Sequence, residues 1–189
     1  ADLVADFCAS KLDASHVFTV TGGGAMYLND AFGKHPDIEV VPMHHEQSAS
    51  MAAEGYYRET GKVAVCQVTT GPGGANAITG CAGAWVDSEA IIFISGQVET
   101  ISLISGNNRQ TGVQELDIIG MVKSITKEAI RLTDPHMISY ELARLVDVAT
   151  SGRPGPVWLD IPLDLQNFVV TNPDMLPKYL KPKEDVRTT

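Results

Sequence analysis

The sequence predicts an α/β fold, a three-layer α/β/α arrangement around a mostly parallel central sheet. Two observations carry this reading. Short apolar runs at Val17–Val20, Ile38–Val41, Val63–Val68 and Ala90–Ser95 alternate with helical segments. Strands that are apolar along their whole length are buried on both faces, as the strands of a parallel sheet are. In addition, the turns after three of these runs lead straight into helices: Gly22-Gly23-Gly24, His44-His45-Glu46 and Gly71–Asn76. Right-handed crossovers bring the C-terminal ends of parallel strands to one edge, and ligands of open sheets bind there.

Taken in order, Leu3–Leu12 has helical periodicity, with Leu3, Val4, Phe7, Cys8 and Leu12 on one side. Val17–Val20 is a short buried strand, and Ala25–Phe32 a helix stopped by Gly33 and Pro36. Ile38–Val41 is the next strand, Glu46–Thr60 a helix closed by Gly61, and Val63–Val68 a strand. Gly74–Val86 reads as a helix and Ala90–Ser95 as a strand. The pattern weakens between Gln97 and Gly120, where Gly106, Asn107, Asn108 and Gly112 mark a loop and Val113–Val122 a short helix. Ile125–Leu132 is a strand, Pro135–Ala149 an amphipathic helix, Ser151–Pro156 a turn and Val157–Ile161 a last buried strand. Residues 1–170 thus form one domain, and 171–189, richer in Pro and Lys, read as a linker or tail.

At 189 residues and 44% hydrophobic composition the chain can bury a substantial core. A net charge of −9 argues against nucleic acid or an anionic membrane as partner. No apolar run approaches the ~20 residues of a membrane span. No basic segment precedes Leu3-Val4, so a signal peptide is not expected and a cytoplasmic location is. Cys8, Cys66 and Cys81 are odd in number, far apart and set in apolar segments, as buried reduced thiols are.

Each turn has a plain explanation beside a functional one. Gly22-Gly23-Gly24 suits a phosphate cradle, a tight turn, or close approach of backbone to a flat ring. It is not the Gly-x-Gly-x-x-Gly fingerprint, since Tyr27 holds the last glycine position. Glu46 is a first-turn acid favoured by the helix dipole, and a lone carboxylate there also suits chemistry. A metal site at His44-His45 is not expected, because His-Glu-x-x-His fails at Ala49. The helix after Glu46 carries Ser48, Ala49, Ser50, Ala52, Ala53 and Gly55, small enough for close packing on another helix, including one from a second chain. Thr70-Gly71-Pro72-Gly73-Gly74-Ala75-Asn76 is either a structural β–α connection or a rigid turn that offers free backbone N–H groups. Gln97 ends an apolar strand at the same edge with an amide donor and acceptor.

In this order, the segments resemble the N-terminal pyrimidine-binding domain of thiamine diphosphate-dependent enzymes, acetolactate synthase-like group. The matching stretches are Val17–Met26, His44–Gln47 with Ala52–Tyr56, Gly61-Lys62, Thr69–Asn76, Ile94–Val98, Ser124–Lys127 and Ser151–Pro162. The resemblance implies that Glu46 hydrogen-bonds N1′ of the aminopyrimidine and so promotes loss of the thiazolium C2 proton. The cofactor then serves as electron sink for 2-oxo acid decarboxylation. It further implies that Gly23 and Gly24 approach the pyrimidine, that Pro72 and Asn76 flank the ring, and that His45 and Gln97 face the reacting centre. Arg153 matches an arginine that contacts FAD in acetolactate synthases, but relatives without FAD share the turn, so FAD is not assigned.

The chain departs from acetolactate synthases where His44 replaces an Arg, where Thr21-Gly22-Gly23 replaces Pro-Gly-Gly, and where Val113 replaces a bulky Phe. A different 2-oxo acid substrate is therefore entertained. The Gly-Asp-Gly segment with a downstream Asn that holds Mg²⁺ and the diphosphate in the family is missing, so that metal site is expected outside this chain. The leading expectation is the N-terminal domain of a larger decarboxylase/carboligase (a lyase or transferase), inactive alone and functioning as a homo-oligomer, a dimer at least, with a diphosphate-binding domain. The alternatives are the stand-alone alpha subunit of a split decarboxylase and a non-catalytic interaction module with the same fold.

Overall fold

The computed structural model describes residues 1–12, 14–103 and 108–182. Its centre is a six-stranded sheet: β1 (His16–Thr19), β2 (Glu39–Pro42), β3 (Ala64–Val68), β4 (Ile91–Gln97), β5 (Glu128–Arg131) and β6 (Val157–Pro162). The strand order is β2-β1-β3-β4-β6-β5. Every pairing is parallel, so the sheet is wholly rather than mostly parallel. The inner strands β3, β4 and β6 are buried at every position, whereas the edge strand β2 is only partly covered.

Helices cover both faces, giving the three layers. On one side lie α1 (Asp2–Lys11), α2 (Met26–Lys34) and α6 (Ile138–Thr150), joined in one core with Val17, Val65, Ile92, Ile94, Val157 and Leu159. On the other lie α3 (Glu46–Thr60), α4 (Pro72–Asp87) and α5 (Ile118–Val122), packed with Cys66, Val68, Ile91, Phe93 and Trp158. Alternation along each strand divides the residues between these two cores. A short α7 (Leu163–Gln166), absent from the sequence reading, follows β6.

Several boundaries differ from the sequence reading. Gly33 lies inside α2, which runs on to Lys34; the extended His35 before Pro36 ends it, because a residue preceding proline avoids helical backbone. α4 starts at Pro72 rather than Gly74, with proline in the first turn, where its missing N–H costs nothing. β4 runs to Gln97, and β5 is shorter than 125–132 because a 3₁₀ turn occupies Lys123–Ile125.

Half of the small-residue stripe of α3, namely Ala49, Ser50 and Ala53, is used inside the chain, while Ser48 and Gly55 are exposed. Ala49 and Ala53 are fully buried in the α3–α4 face and are not a surface for a second chain. A Cβ on Gly80 would lie 2.5 Å from the Ser50 Cβ, which measures how closely the two helices approach. All three cysteines are buried and free, and burial raises the Cys8 thiol to about 12 and the other two further. Of the glycine-rich loop, Gly106 and Asn107 lie outside the described residues, as do 183–189 of the C-terminal segment. Leu176 is buried, and Tyr179 and Lys181 both bond Asp147 of α6, at 2.8 Å each.

Candidate functional site

The strand order reverses between β1 and β3: from β1 the chain moves outward to β2, and from β3 it moves the other way to β4. Such a switch point opens a crevice at the C-terminal ends of the strands. The turns after β1 and β3 meet there, and the turn after β2 delivers Glu46 beside them.

Glu46 is the first residue of α3 and is half-buried. His45 caps the helix from extended backbone, its Nδ1 accepting the Gln47 N–H at 3.1 Å. That bond puts the neutral ring's proton on the exposed Nε2. Glu46 Oε2 accepts a hydrogen bond from Asn76 Nδ2 at 3.0 Å. Oε1 has no hydrogen bond to any described residue and lies 3.5 Å from where a Gly73 Cβ would stand.

The turn before α4 is built for close contact. Gly71 has φ +62°, and a Cβ there would meet the Gln114 carbonyl oxygen at 1.9 Å, so only glycine fits. Pro72 and Asn76, one helical turn apart, share an exposed face of α4, while Gly73 and Gly74 are buried against Thr69 and Ile118. Glu46, Pro72 and Asn76 therefore come together.

The Gly22–Gly24 turn is held from three directions. Asn29 Nδ2 donates to the Gly22 carbonyl at 3.1 Å, Gln166 Nε2 to the Gly24 carbonyl at 2.8 Å, and the Met26 N–H to the Gly23 carbonyl. Beneath it, a Gly24 Cβ would strike Thr70 Oγ1 at 1.8 Å, and a Gly96 Cβ would strike the Gly24 carbonyl oxygen at 2.1 Å. Gly23 is exposed with nothing within 4 Å of its Cβ position. A flat ring has room over Gly23, whereas Gly24 is engaged with the interior.

Gln97 is placed differently from the sequence expectation. Its side chain is fully buried, both amide hydrogens are engaged, with the Leu116 carbonyl and Asp160 Oδ2, each at 3.1 Å, and its oxygen accepts the Val98 N–H. It has no free donor to turn toward a ligand. Asp160, also buried, gathers Ser95 at 2.7 Å and Arg131 at 2.8 Å as well. Burial raises the Asp160 carboxyl, against the pull of Ser95, Arg131 and Gln97. Arg153 donates to Ser88 Oγ and to the Val86 carbonyl, tying the start of β6 to the end of α4.

The sequence alone does not single out Thr69, Asn29 or Gln166, and it reads Thr70 only as the start of the turn through Asn76. The threonines fall within a stretch that matches the family but carry no signal of their own. Asn29 and Gln166 have no local signal, since their partners are 7 and 142 residues away. Among the described residues no three His, Cys, Asp or Glu side chains are grouped to hold a metal ion, and no helix is long and apolar enough to cross a membrane.

A fold of parallel strands with a carboxylate beside a glycine-rich switch point defines a cofactor-binding α/β domain. The family described as thiamine pyrophosphate enzyme, N-terminal TPP binding domain, matches residues 1–121, well over half the chain, and this chain belongs to that family. It is 40% identical over 157 residues to the acetolactate synthase large subunit of Corynebacterium glutamicum, covering 83% of this chain and 24% of that protein. Against the mitochondrial acetolactate synthase of Schizosaccharomyces pombe the identity is 37% over 163 residues, 86% of this chain and 24% of the other. Against the isozyme 2 large subunit of Escherichia coli it is 41% over 150 residues, 79% and 26%. The chain thus spans about a quarter of the length of the curated relatives it matches.

Proposed function

We infer that this chain is the aminopyrimidine-binding part of a thiamine diphosphate-dependent 2-oxo acid decarboxylase or carboligase, with Glu46 as its catalytic residue. One observation carries the reading: Glu46 stands at the switch point with one carboxylate oxygen held by Asn76 and the other without a protein partner among the described residues. The residues present suit the cofactor's pyrimidine. Gly23 leaves open space for a flat ring, Pro72 offers an exposed rigid wall, and Oε1 is an acceptor for one ring N–H.

When bound, the cofactor supplies an acidic carbon and an electron sink for decarboxylation. Glu46 would hold and exchange a proton with a ring nitrogen of the bound cofactor through Oε1. Asn76 keeps the carboxylate aimed, and Thr69, Thr70 and Gly96 set the position of the Gly22–Gly24 turn. His45, with Nε2–H exposed, is a donor on the substrate side. The diphosphate and its Mg²⁺ belong to another domain or subunit, so residues 1–170 alone are inactive. The whole is a cytoplasmic homo-oligomer on this reading, and FAD is not assigned to it.

The test is Glu46→Gln in the full-length protein. Glutamine keeps the shape but cannot take up a proton, and loss of one general acid–base group costs about a hundred- to ten-thousandfold in turnover. Unchanged decarboxylation of 2-oxo acids would refute the assignment.

A further inference from the structure

We propose that Asn76 is the positioning residue for Glu46: its side-chain amide selects which carboxylate oxygen is presented to the cofactor. This deepens the functional reading above and rests on it. The two oxygens of Glu46 are not equivalent. Oε2 accepts from Asn76 Nδ2 at 3.0 Å, and Oε1 has no hydrogen-bond partner among the described residues. The direction of the bond is set by chemistry, because an ionised carboxylate can only accept and the amide nitrogen can only donate.

The arrangement spans two elements. Glu46 begins α3 and Asn76 lies in the first turns of α4, 30 residues later. Asn76 sits one turn beyond Pro72, which brings its short side chain up on the exposed face of α4. Behind it Gly73 and Gly74 let the helix settle against Thr69 and Ile118. A Cβ at Gly73 would clash with Thr69 Cγ2 at 2.8 Å but only touch Oε1 at 3.5 Å, so the bare backbone serves the seating of α4. Without Asn76, a half-exposed glutamate with three rotatable bonds would sample several directions. With it, one oxygen is anchored and the other is fixed by the planarity of the carboxylate. Preorganisation of this kind lowers the cost of reaching the reactive geometry.

The inference separates positioning from binding. Asn76 is exposed and makes no other hydrogen bond within the described residues, so removing its amide should leave the fold intact. The experiment uses the full-length protein loaded with thiamine diphosphate and Mg²⁺, without 2-oxo acid. Hydrogen–deuterium exchange at the thiazolium C2 is followed by acid quench and proton NMR. Cofactor affinity is measured by calorimetry, and melting temperature is recorded without cofactor. Asn76→Ala is expected to slow C2 exchange about ten- to a hundredfold, the weight of one hydrogen bond to a charged group. Affinity should change by no more than a few-fold and melting temperature not at all. Asn76→Asp keeps the size but replaces the donor by a second carboxylate, so it should slow exchange at least as much. A residue that merely fills space would tolerate that change.

Exchange within twofold of wild type in Asn76→Ala, with Glu46→Gln strongly slowed, overturns the role of Asn76 and leaves Glu46 in place. If Glu46→Gln also exchanges at the wild-type rate, the functional reading fails, and the inference with it.

Discussion

Replacing Gly96 by Ala should be among the most damaging small changes in this chain. Gly96 lies in the central strand β4, paired with Ile161 of β6, and its missing side chain is where the Gly22–Gly24 turn rests. A Cβ there would stand 2.1 Å from the Gly24 carbonyl oxygen, 2.5 Å from its carbon and 2.8 Å from Ala25 Cα, all backbone atoms. β4 is held by ladders on both sides, so the turn has to give way, by about 1 Å merely to end the overlap. Overpacking of this kind costs about 1–3 kcal/mol. The displaced turn also strains the 2.8 Å bond from Gln166 to Gly24, and losing a buried bond adds about 1–3 kcal/mol. The expected loss is therefore about 2–6 kcal/mol, read as a lower urea midpoint with unchanged slope. Gly33→Ala is the control: it lies in α2 with nothing within 4 Å of its Cβ position, and Ala should stabilise the helix by about 0.5–1 kcal/mol. If both variants unfold at the wild-type midpoint, the close approach of turn and strand does not exist.

Three further outcomes are expected. Thr70 Oγ1 is buried without a partner beneath Gly24, so Thr70→Val should raise stability by about 1 kcal/mol in the same assay; a loss would mean the hydroxyl is satisfied in solution. Asp160→Ala leaves Arg131, Ser95 and Gln97 without their shared acceptor and should cost about 3–5 kcal/mol, toward the lower end because Arg131 also faces Asp117 at 3.7 Å. The hydrogen bonds from Lys181 and Tyr179 hold the Asp147 carboxyl below its usual range. Their stabilising effect is therefore complete above the ordinary carboxylate pKa of about 3.9 and is lost as pH falls through the lowered value. The Tyr179 ring signals should accordingly move toward those of a solvated tyrosine only below about pH 4. Movement already at pH 6 would show that Asp147 does not hold the segment.

The layers, the order of the strands along the chain and the placing of Glu46 at the C-terminal edge of the sheet are legible in the sequence because each depends on local pattern. Apolar runs of four to six residues specify buried strands, and glycine-rich turns mark the entry to the next helix. Direction is the property that local pattern does not supply. Gln97 ends β4 at the right edge, but strand alternation and a partner 63 residues away on β6 turn its amide inward to Asp160. Ala49 and Ala53 are legible as a surface for close packing; that the opposing helix is α4 of the same chain is decided by the tertiary fold. The clamp on the glycine turn joins Gly24 to Gln166 on a helix too short to leave a periodic signal. Gly33 is a misleading stop signal, because glycine weakens a helix without ending it, and the residue before Pro36 decides the matter.

The buried alanines explain how a carboxylate on one helix is controlled from another. Glu46 and Asn76 can meet at 3.0 Å only if α3 and α4 approach closely along their length. Gly80 sets that approach: a Cβ there would lie 2.3 Å from Ser50 Oγ and 2.9 Å from the Ser50 carbonyl carbon, so the backbone of α3 itself is the limit. At the far end the spacing is guarded by charge. Arg58 of α3 pairs with Asp87 at 2.8 Å and with the buried Glu89 just past α4. The contact between helices is thus fixed at its middle by missing side chains and at its end by an ion pair, and the site lies at the remaining end. If Glu46 acts as proposed above, a carboxylate on a flexible loop would have to pay for its orientation at each turnover, whereas one placed by two packed helices is oriented once, on folding. That is the physical reason for Ala49, Ser50 and Ala53 to be small on the face of α3 that meets α4.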